Sequence, residues 1–294
     1  MPDFKLSVVI PAHNEEANIA GTVHELVSVL DENELQFELI VVDDNSQDQT
    51  AQVVRTLKAA DARVHLVERQ PPAGFGRAVR AGLEAVKGDV VVVYMADQSD
   101  DPRDVLLYYR KLSEGYDCVF GSRFVRGSYV KDYPLVKLIV NRLVNKAIQW
   151  MFWCRFNDLS NAFKGYRTYV IRECGPYRAC HFNLTIEMSL GALVRGYTVA
   201  EVPIRWYGRT WGSSNLRMRE MGRRYVSTLL KVFCDKVLIS DDLMADRLAQ
   251  HARDERVVAP IDERLQRLEA RVAELEDSLA QAVEPSHRPH GQPS

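Results

Sequence analysis

No stretch of this 294-residue chain approaches the ~20 consecutive apolar residues that a membrane-spanning helix needs, so any service to a membrane is expected from its surface. Cysteine is sparse and unpaired in pattern. Cys118, Cys154, Cys174, Cys180 and Cys234 form no C-x-x-C pair, no hydrophobic leader precedes them, and an odd number of scattered thiols suits a reducing cytoplasm better than a disulfide framework. The seven histidines show no metal-ligand spacing. A net charge of −2 gives no electrostatic footprint for a nucleic-acid partner. Composition is otherwise that of a globular protein, 46% hydrophobic and 27% charged, long enough for one large core plus an appendage.

The first 120 residues alternate two patterns. Leu6–Ile10, Phe37–Val42, Arg63–Val67, Asp89–Tyr94 and Asp117–Phe120 read as short strands, mostly β-branched and bounded by turn or charged residues. Helical spacing fills the intervals; Ile19, Val23, Leu26, Val27 and Leu30 make one apolar stripe behind an acidic start at Glu15–Glu16. Unbroken runs such as Val90 to Tyr94 suit strands buried on both faces. The expectation is a doubly wound, mostly parallel α/β sheet flanked by helices, with a C-terminal helical extension. A helix is expected around Leu184–Val194, a strand around Thr198–Arg205 and a helix from about Leu216 to Ile239. The domain therefore spans 1–239. A polar linker follows over 240–260. Ile261, Leu265, Leu268, Val272, Leu275 and Leu279 then mark a short heptad seam within 261–283. That seam suits either homo-oligomerisation or a surface helix packed on its own body, and the tail 284–294 reads as disordered.

Three chemically loaded segments follow predicted strands: Pro11-Ala12-His13-Asn14-Glu15-Glu16, Asp43-Asp44-Asn45-Ser46-Gln47-Asp48, and Met95-Ala96-Asp97-Gln98-Ser99-Asp100-Asp101-Pro102. In a parallel sheet these strands end at one edge, outside which ligands bind. Eight carboxylates would then share one crevice, although each could instead start a helix as a cap. Clustered carboxylates stay ionised together only with a cation or donors among them, and hard oxygen ligands favour Mg²⁺ or Mn²⁺ held jointly with substrate phosphates. Asp43 and Asp44 are placed to accept hydrogen bonds from a base or ribose.

These segments, with G-F-G-R-A-V-R-A-G from Gly74, resemble the ordered motifs of family 2 glycosyltransferases, which have the GT-A fold and invert the anomeric configuration. Gly121-Ser122-Arg123, the run Asp158 to Lys164, and the run Glu201 to Ser214 narrow the resemblance to the polyprenol-phosphate mannose synthase branch, over roughly residues 5–225. The resemblance implies that Pro11, Ala12, Asn14, Glu16, Asp43, Asp44 and Gly76 line the nucleotide site. It implies that Asp97 is a metal ligand with Ser99 at a nearby ligand position, and that Arg123 and Arg142 hold the acceptor phosphate while Arg209 closes over the donor diphosphate. The departure is Met95, where the family usually has the first Asp of its D-x-D; a thioether cannot replace a carboxylate for a hard cation. Asp100 or Asp101 could compensate or could simply begin the helix after Pro102.

Between Asp132 and Asp158 no acidic residue occurs, and Lys137, Arg142, Lys146 and Arg155 give the interval +4. A basic amphipathic helix over about 134–156, ending in aromatic residues, suits a lipid headgroup layer; the alternative is a helix packed on the core. The expected activity is an inverting hexosyltransferase, peripheral on the inner face of the membrane. It would move a hexose, mannose favoured, from GDP-mannose or a UDP-sugar to a polyprenyl phosphate. An ionised lipid phosphate needs no general base, whereas a hydroxyl acceptor would, and Asp158 and Glu187 are the candidates. Asp158 equally suits a turn or cap, and Glu187 an ion-pair partner. Two other readings stay open: a same-fold enzyme acting on a saccharide or small-molecule hydroxyl, and a non-catalytic sugar-nucleotide-binding scaffold.

Overall fold

A computed structural model describes residues 4–208, 222–237 and 272. The chain divides into two compact units, Met1–Leu238 and Ile239–Ser294. The linker, heptad seam and tail expected for 240–294 lie outside the described residues, Val272 apart.

The first unit alternates as expected: β1 (Leu6–Ala12), α1 (Ile19–Glu32), β2 (Phe37–Asp43), α2 (Thr50–Ala60), β3 (Val64–Glu68), α3 (Phe75–Glu84), β4 (Val90–Val93), α4 (Arg103–Ser113) and β5 (Cys118–Ser122). There follow β6 (Tyr129–Lys131), α5 (Leu135–Phe152), β7 (Lys164–Arg167), α6 (Thr168–Cys174), α7 (Leu184–Val194), β8 (Val199–Pro203), β9 (Arg205–Tyr207) and a helix over 222–237, here α8. Seven strands form one sheet in the order β3-β2-β1-β4-β7-β5-β8, in which β7 alone runs antiparallel to its neighbours. β6 and β9 pair as a small parallel ribbon.

Strand alternation explains the two cores. Leu6, Val8 and Ile10 of β1 and Val90 and Val92 of β4 join α1, α2 and α4 on one face. Val9, Val91 and Val93 join α3, α5, α6, α7 and α8 on the other. A period of two sends successive side chains to opposite faces, so a continuous valine run is what a doubly covered strand requires. Winding runs outward through β1, β2 and β3 with α1 and α2 on one face. It then returns through α3 on the other face to place β4 beside β1. That reversal makes the crevice between β1 and β4 the point where ligands bind in open α/β sheets.

Several local expectations change. The helix start at Glu15–Glu16 is a turn, and α1 begins at Ile19 with no acidic residue in its first turn. The strand expected over Thr198–Arg205 is two strands, broken at Ile204. The helix expected over 134–156 ends at Phe152, where Trp153 takes a left-handed φ of 49° as its C-cap. β7 escapes pattern reading because Lys-Gly-Tyr-Arg carries no β-branched run. It nevertheless brings Lys164 opposite Val93 and Phe120, and so delivers the preceding turn, 158–163, to the rim where β4 and β5 end.

Candidate active site

The site is built from turns at the carboxyl ends of β1, β2, β4 and β5. Register sets it: Ala12 lies opposite Asp43 and Val9 opposite Val93, so the chain leaves all three strands at one edge. Strand spacing places the turns after β2 and β4 roughly 10 Å apart across β1. Each of the three turns contains one non-glycine residue with a left-handed backbone, Asn14 (φ 55°), Asn45 (φ 58°) and Gln98 (φ 57°). Asparagine tolerates that region; at Gln98 it costs on the order of 1–2 kcal/mol and folds the acidic turn back on itself. The Gln98 side chain lies over Gly21, where an added Cβ would sit 2.5 Å from its Nε2.

The β1 and β2 turns are laced together. The Asn14 N–H donates to Ser46 Oγ (3.0 Å) and the Gln47 N–H to Asn14 Oδ1 (2.8 Å). The Glu16 N–H donates to Asp48 Oδ2 (3.1 Å) and the Gln49 N–H to Glu16 Oε2 (2.8 Å). Asp48 Oδ1 accepts from both the N–H and the hydroxyl of Thr50. Asp101 accepts from the Arg103 N–H at the start of α4 and pairs with Arg103 and Arg205. These bonds outweigh its burial and hold its carboxyl below the usual range. Glu15 Oε2 accepts from Asn18 Nδ2 (2.8 Å); Glu15, Glu16, Asp48 and Asp101 are thus taken up by hydrogen bonds and ion pairs, and the expected cluster of eight reduces at its buried floor to Asp43, Asp44, Asp97 and Asp100, each 5% exposed or less.

Asp44 clamps a third loop. Its Oδ2 accepts from the Gly74 N–H (2.5 Å), its Oδ1 from the Arg69 guanidinium, and its own N–H donates to Ala12 O (2.8 Å). Arg69 had no motif to flag it; its place just past β3, on the same edge, was the available signal. Asp43 Oδ1 is buried without a hydrogen-bond partner, which leaves an acceptor at the base of the cleft. Gly76 is buried against the 179–181 backbone, its N–H donating to Cys180 O (3.1 Å). An added Cβ would lie 2.6 Å from Ala179 O, so that contact accounts for the glycine.

The turn after β4 holds Asp97 and Ser99 in buried positions. The Ser99 N–H donates to Asp97 Oδ1 (3.2 Å), while the Tyr207 N–H holds Ser99 O (2.8 Å). Burial and then the neighbouring Asp97 carboxylate push Asp100 well above the ordinary carboxylate range. Among the described residues no three His, Cys, Asp or Glu side chains cluster to enclose a metal. The donors present are carboxylate and hydroxyl oxygens with one buried carboxylate oxygen unpartnered, Asp100 Oδ2, a set that fits a hard divalent ion completed by phosphate oxygens.

Beyond β5 the structure brings Arg123, Asp158 and Arg142 together. Arg123 Nε and Nη2 each donate to Asp158 at 2.8 Å, and the Arg123 N–H adds a third bond (3.0 Å). The Arg123 guanidinium lies among Phe124, Tyr133 and Trp206, and Arg142 stacks 4.7 Å from the Phe124 centroid while donating to Asn157 O. Both Asp158 oxygens are therefore occupied. Lys164, fully buried, donates to the carbonyls of Leu159 and Asn161, and burial draws its ammonium down to about 7. Asn145 of α5 accepts the Leu159 N–H (2.8 Å), so a buried lysine and a buried asparagine both fix the Asp158 turn. Glu187 accepts from the Arg178 and Ala179 N–H groups and from Lys231 Nζ (2.6 Å), the ion-pair alternative for that residue. Arg209 lies outside the described residues.

A crossover sheet of this order with an acidic turn at its switch point is the GT-A architecture of sugar-nucleotide transferases. Residues 7–175 match the family described as Glycosyl transferase family 2, and the chain belongs to that family. It is 30% identical over 224 residues to the polyprenol monophosphomannose synthase of Mycolicibacterium smegmatis, covering 73% of this chain and 82% of that protein. It is 29% identical over 217 residues to the undecaprenyl-phosphate 4-deoxy-4-formamido-L-arabinose transferase of Shewanella sediminis, covering 72% of this chain and 61% of that one. In fold it is similar to the Mycobacterium tuberculosis glucosyl-3-phosphoglycerate synthase crystallised with Mn²⁺, uridine diphosphate and phosphoglyceric acid. That likeness has a TM-score of 0.59 at 23% identity and covers 78% of each chain.

Proposed function

We propose that the protein transfers a hexose, mannose favoured, from a nucleotide-sugar to a polyprenyl phosphate at a membrane surface, with inversion at the anomeric carbon. The observation that carries this reading is the placing of two opposite chemistries on one rim. Buried carboxylates follow β2 and β4, and two arginines flank Phe124 beyond β5. Relatives named for polyprenol- and undecaprenyl-phosphate transfer support it.

On the donor side, Pro11, Ala12, Asn14, Glu16, Asp43 and Asp44 would receive the nucleoside, with the unpartnered Asp43 Oδ1 as an acceptor for base or ribose N–H or O–H groups. Asp97, with Ser99 beside it, would hold Mg²⁺ or Mn²⁺, which supplies charge neutralisation for a departing diphosphate. On the acceptor side, Arg142 and the Arg123–Asp158 unit would orient the lipid phosphate; guanidinium forks match phosphate oxygens. A phosphate acceptor is ionised near neutral pH, so its oxygen attacks the anomeric carbon as the nucleoside diphosphate leaves, and no protein base is required. That agrees with an Asp158 whose oxygens are both engaged.

Membrane contact belongs to the same reading. α5 is apolar on two sides: Ile148 and Phe152 join the core, and a second apolar set faces outward. Asn145 is buried and Asn141 half-buried toward the Asp158 turn, while Leu135, Val136, Ile139, Leu143 and Trp150 stand exposed, Trp150 at 79%. On α8, Val226, Leu230, Phe233 and Val237 are exposed at helical spacing, and the Phe152 and Phe233 rings meet at 6.2 Å. No helix of the described residues is long and apolar enough to cross a membrane. Two apolar stripes beside Lys137, Lys146 and Arg155 suit a bilayer surface with anionic lipids.

The test is transfer of labelled hexose from GDP-mannose, and in parallel from UDP-glucose, to a short-chain polyprenyl phosphate, with and without EDTA. Product that disappears with EDTA is expected. Turnover on a saccharide hydroxyl but not on the lipid phosphate would replace the acceptor assignment.

A further inference from the structure

The turn after β4 leaves one question of chemistry. Position 95, where a metal-binding carboxylate would ordinarily stand, is Met95, and a thioether is a poor ligand for a hard cation. Position 100 is a carboxylate that the fold drives inward. The Asp100 backbone is fixed three ways: by the Tyr94 hydroxyl donating to its carbonyl, by a bridge to Trp206, and by the Tyr207 N–H holding the adjacent Ser99. Its side chain is left 3% exposed, with Oδ2 making no hydrogen bond. The neighbouring acids are otherwise employed. Asp101 pairs with Arg103 and Arg205, Asp104 pairs with Arg205 and accepts its N–H, and Asp158 pairs with Arg123.

A buried carboxylate oxygen with no donor costs free energy unless a cation or a proton answers it. Asp97 is the strongest carboxylate neighbour of Asp100. Asp100 is thus buried in the same turn as Asp97, with an oxygen free to accept a cation. It also borders a cleft of about 490 Å³ together with Glu25, Ser28, Asp101, Arg103 and Tyr207.

We propose that Asp100 replaces the carboxylate missing at position 95, so that Asp97 and Asp100, three residues apart, hold the divalent ion together with the donor diphosphate. The proposal rests on the nucleotide-sugar reading. It assigns this chain a ligand pair shifted along the turn. One or two carboxylates plus phosphate oxygens is the usual complement for Mg²⁺.

The experiment is Mn²⁺ binding to the full chain with saturating GDP or UDP, read by the loss of the free-ion electron paramagnetic resonance signal. GDP and UDP affinities are measured separately by calorimetry without metal. Asp100→Asn, which keeps the side chain's shape, is expected to weaken Mn²⁺ binding at least tenfold while metal-free nucleotide affinity changes less than twofold. Asp97→Asn should do the same, and Met95→Asp in the Asp100→Asn background should recover most of the loss. Wild-type Mn²⁺ affinity in Asp100→Asn overturns the proposal, as does a wild type that binds nucleotide but no Mn²⁺; in both cases the transferase reading stands. A wild type that binds neither nucleotide overturns both.

Discussion

Arg123 and Asp158 form a two-pronged ion pair, Nε to Oδ2 and Nη2 to Oδ1 both at 2.8 Å, with side chains only 9% and 1% exposed. Neither group can be removed alone without stranding the other charge in the interior. Asp158→Ala is expected to cost about 3–5 kcal/mol in urea unfolding. The double variant Arg123→Met/Asp158→Leu should regain most of that stability while losing lipid-phosphate transfer. A double variant as unstable as the single one would show that the pair's hydrogen bonds, not its charges, hold the 158–163 turn.

The exposed face of α5 yields a second prediction. Trp150 and Leu143 are 79% and 65% exposed and touch no core. Burying a side chain of that kind in an apolar phase contributes about 1.5–3 kcal/mol. Leu143→Glu/Trp150→Glu should therefore lower co-sedimentation with phosphatidylserine vesicles at least tenfold, with unchanged circular dichroism and unchanged nucleotide binding. Equal sedimentation of variant and wild type would remove α5 from the membrane surface.

Lys164 predicts a pH dependence of stability. Its ammonium is drawn from 10.5 to about 7 by burial, so between those values the unfolded chain binds the proton and the folded one does not. Stability from this group therefore rises as pH climbs from about 7 toward 10. Thermal midpoints of wild type and Lys164→Met, compared at neutral and alkaline pH, should diverge in favour of the wild type as pH rises. Parallel curves would mean that the lysine stays charged in the fold.

Gly76 tests the packing behind the loop that Asp44 clamps. A methyl group there meets Ala179 O at 2.6 Å and His181 N at 2.8 Å, both main-chain atoms with little room to retreat. Gly76→Ala should destabilise by about 1–3 kcal/mol, the usual range for overpacking. It should also weaken binding of GDP or UDP, since Asp44 and Gly74 share that loop. Unchanged melting would show the 179–181 segment to be yielding.

Much of this was legible in the chain itself. The valine and isoleucine runs of β1, β2 and β4 specify doubly buried strands, because side-chain alternation and β-branching act locally. The acid-rich segments after them had to meet at one rim once those strands were parallel neighbours. Tertiary structure alone decided what each acid does there. Glu16, Asp48 and Asp101 were taken up by backbone N–H groups or arginines, Asp44 was clamped by Arg69 and Gly74, and Asp100 was turned inward without a partner. It also decided which apolar residues of α5 face outward, because Asn141 and Asn145 bond to the Asp158 turn, a segment that arrives through the antiparallel β7, while Ile148 and Phe152 face the core. Periodicity is a property of neighbours in sequence, whereas the choice of hydrogen-bond and ion-pair partners belongs to neighbours in space.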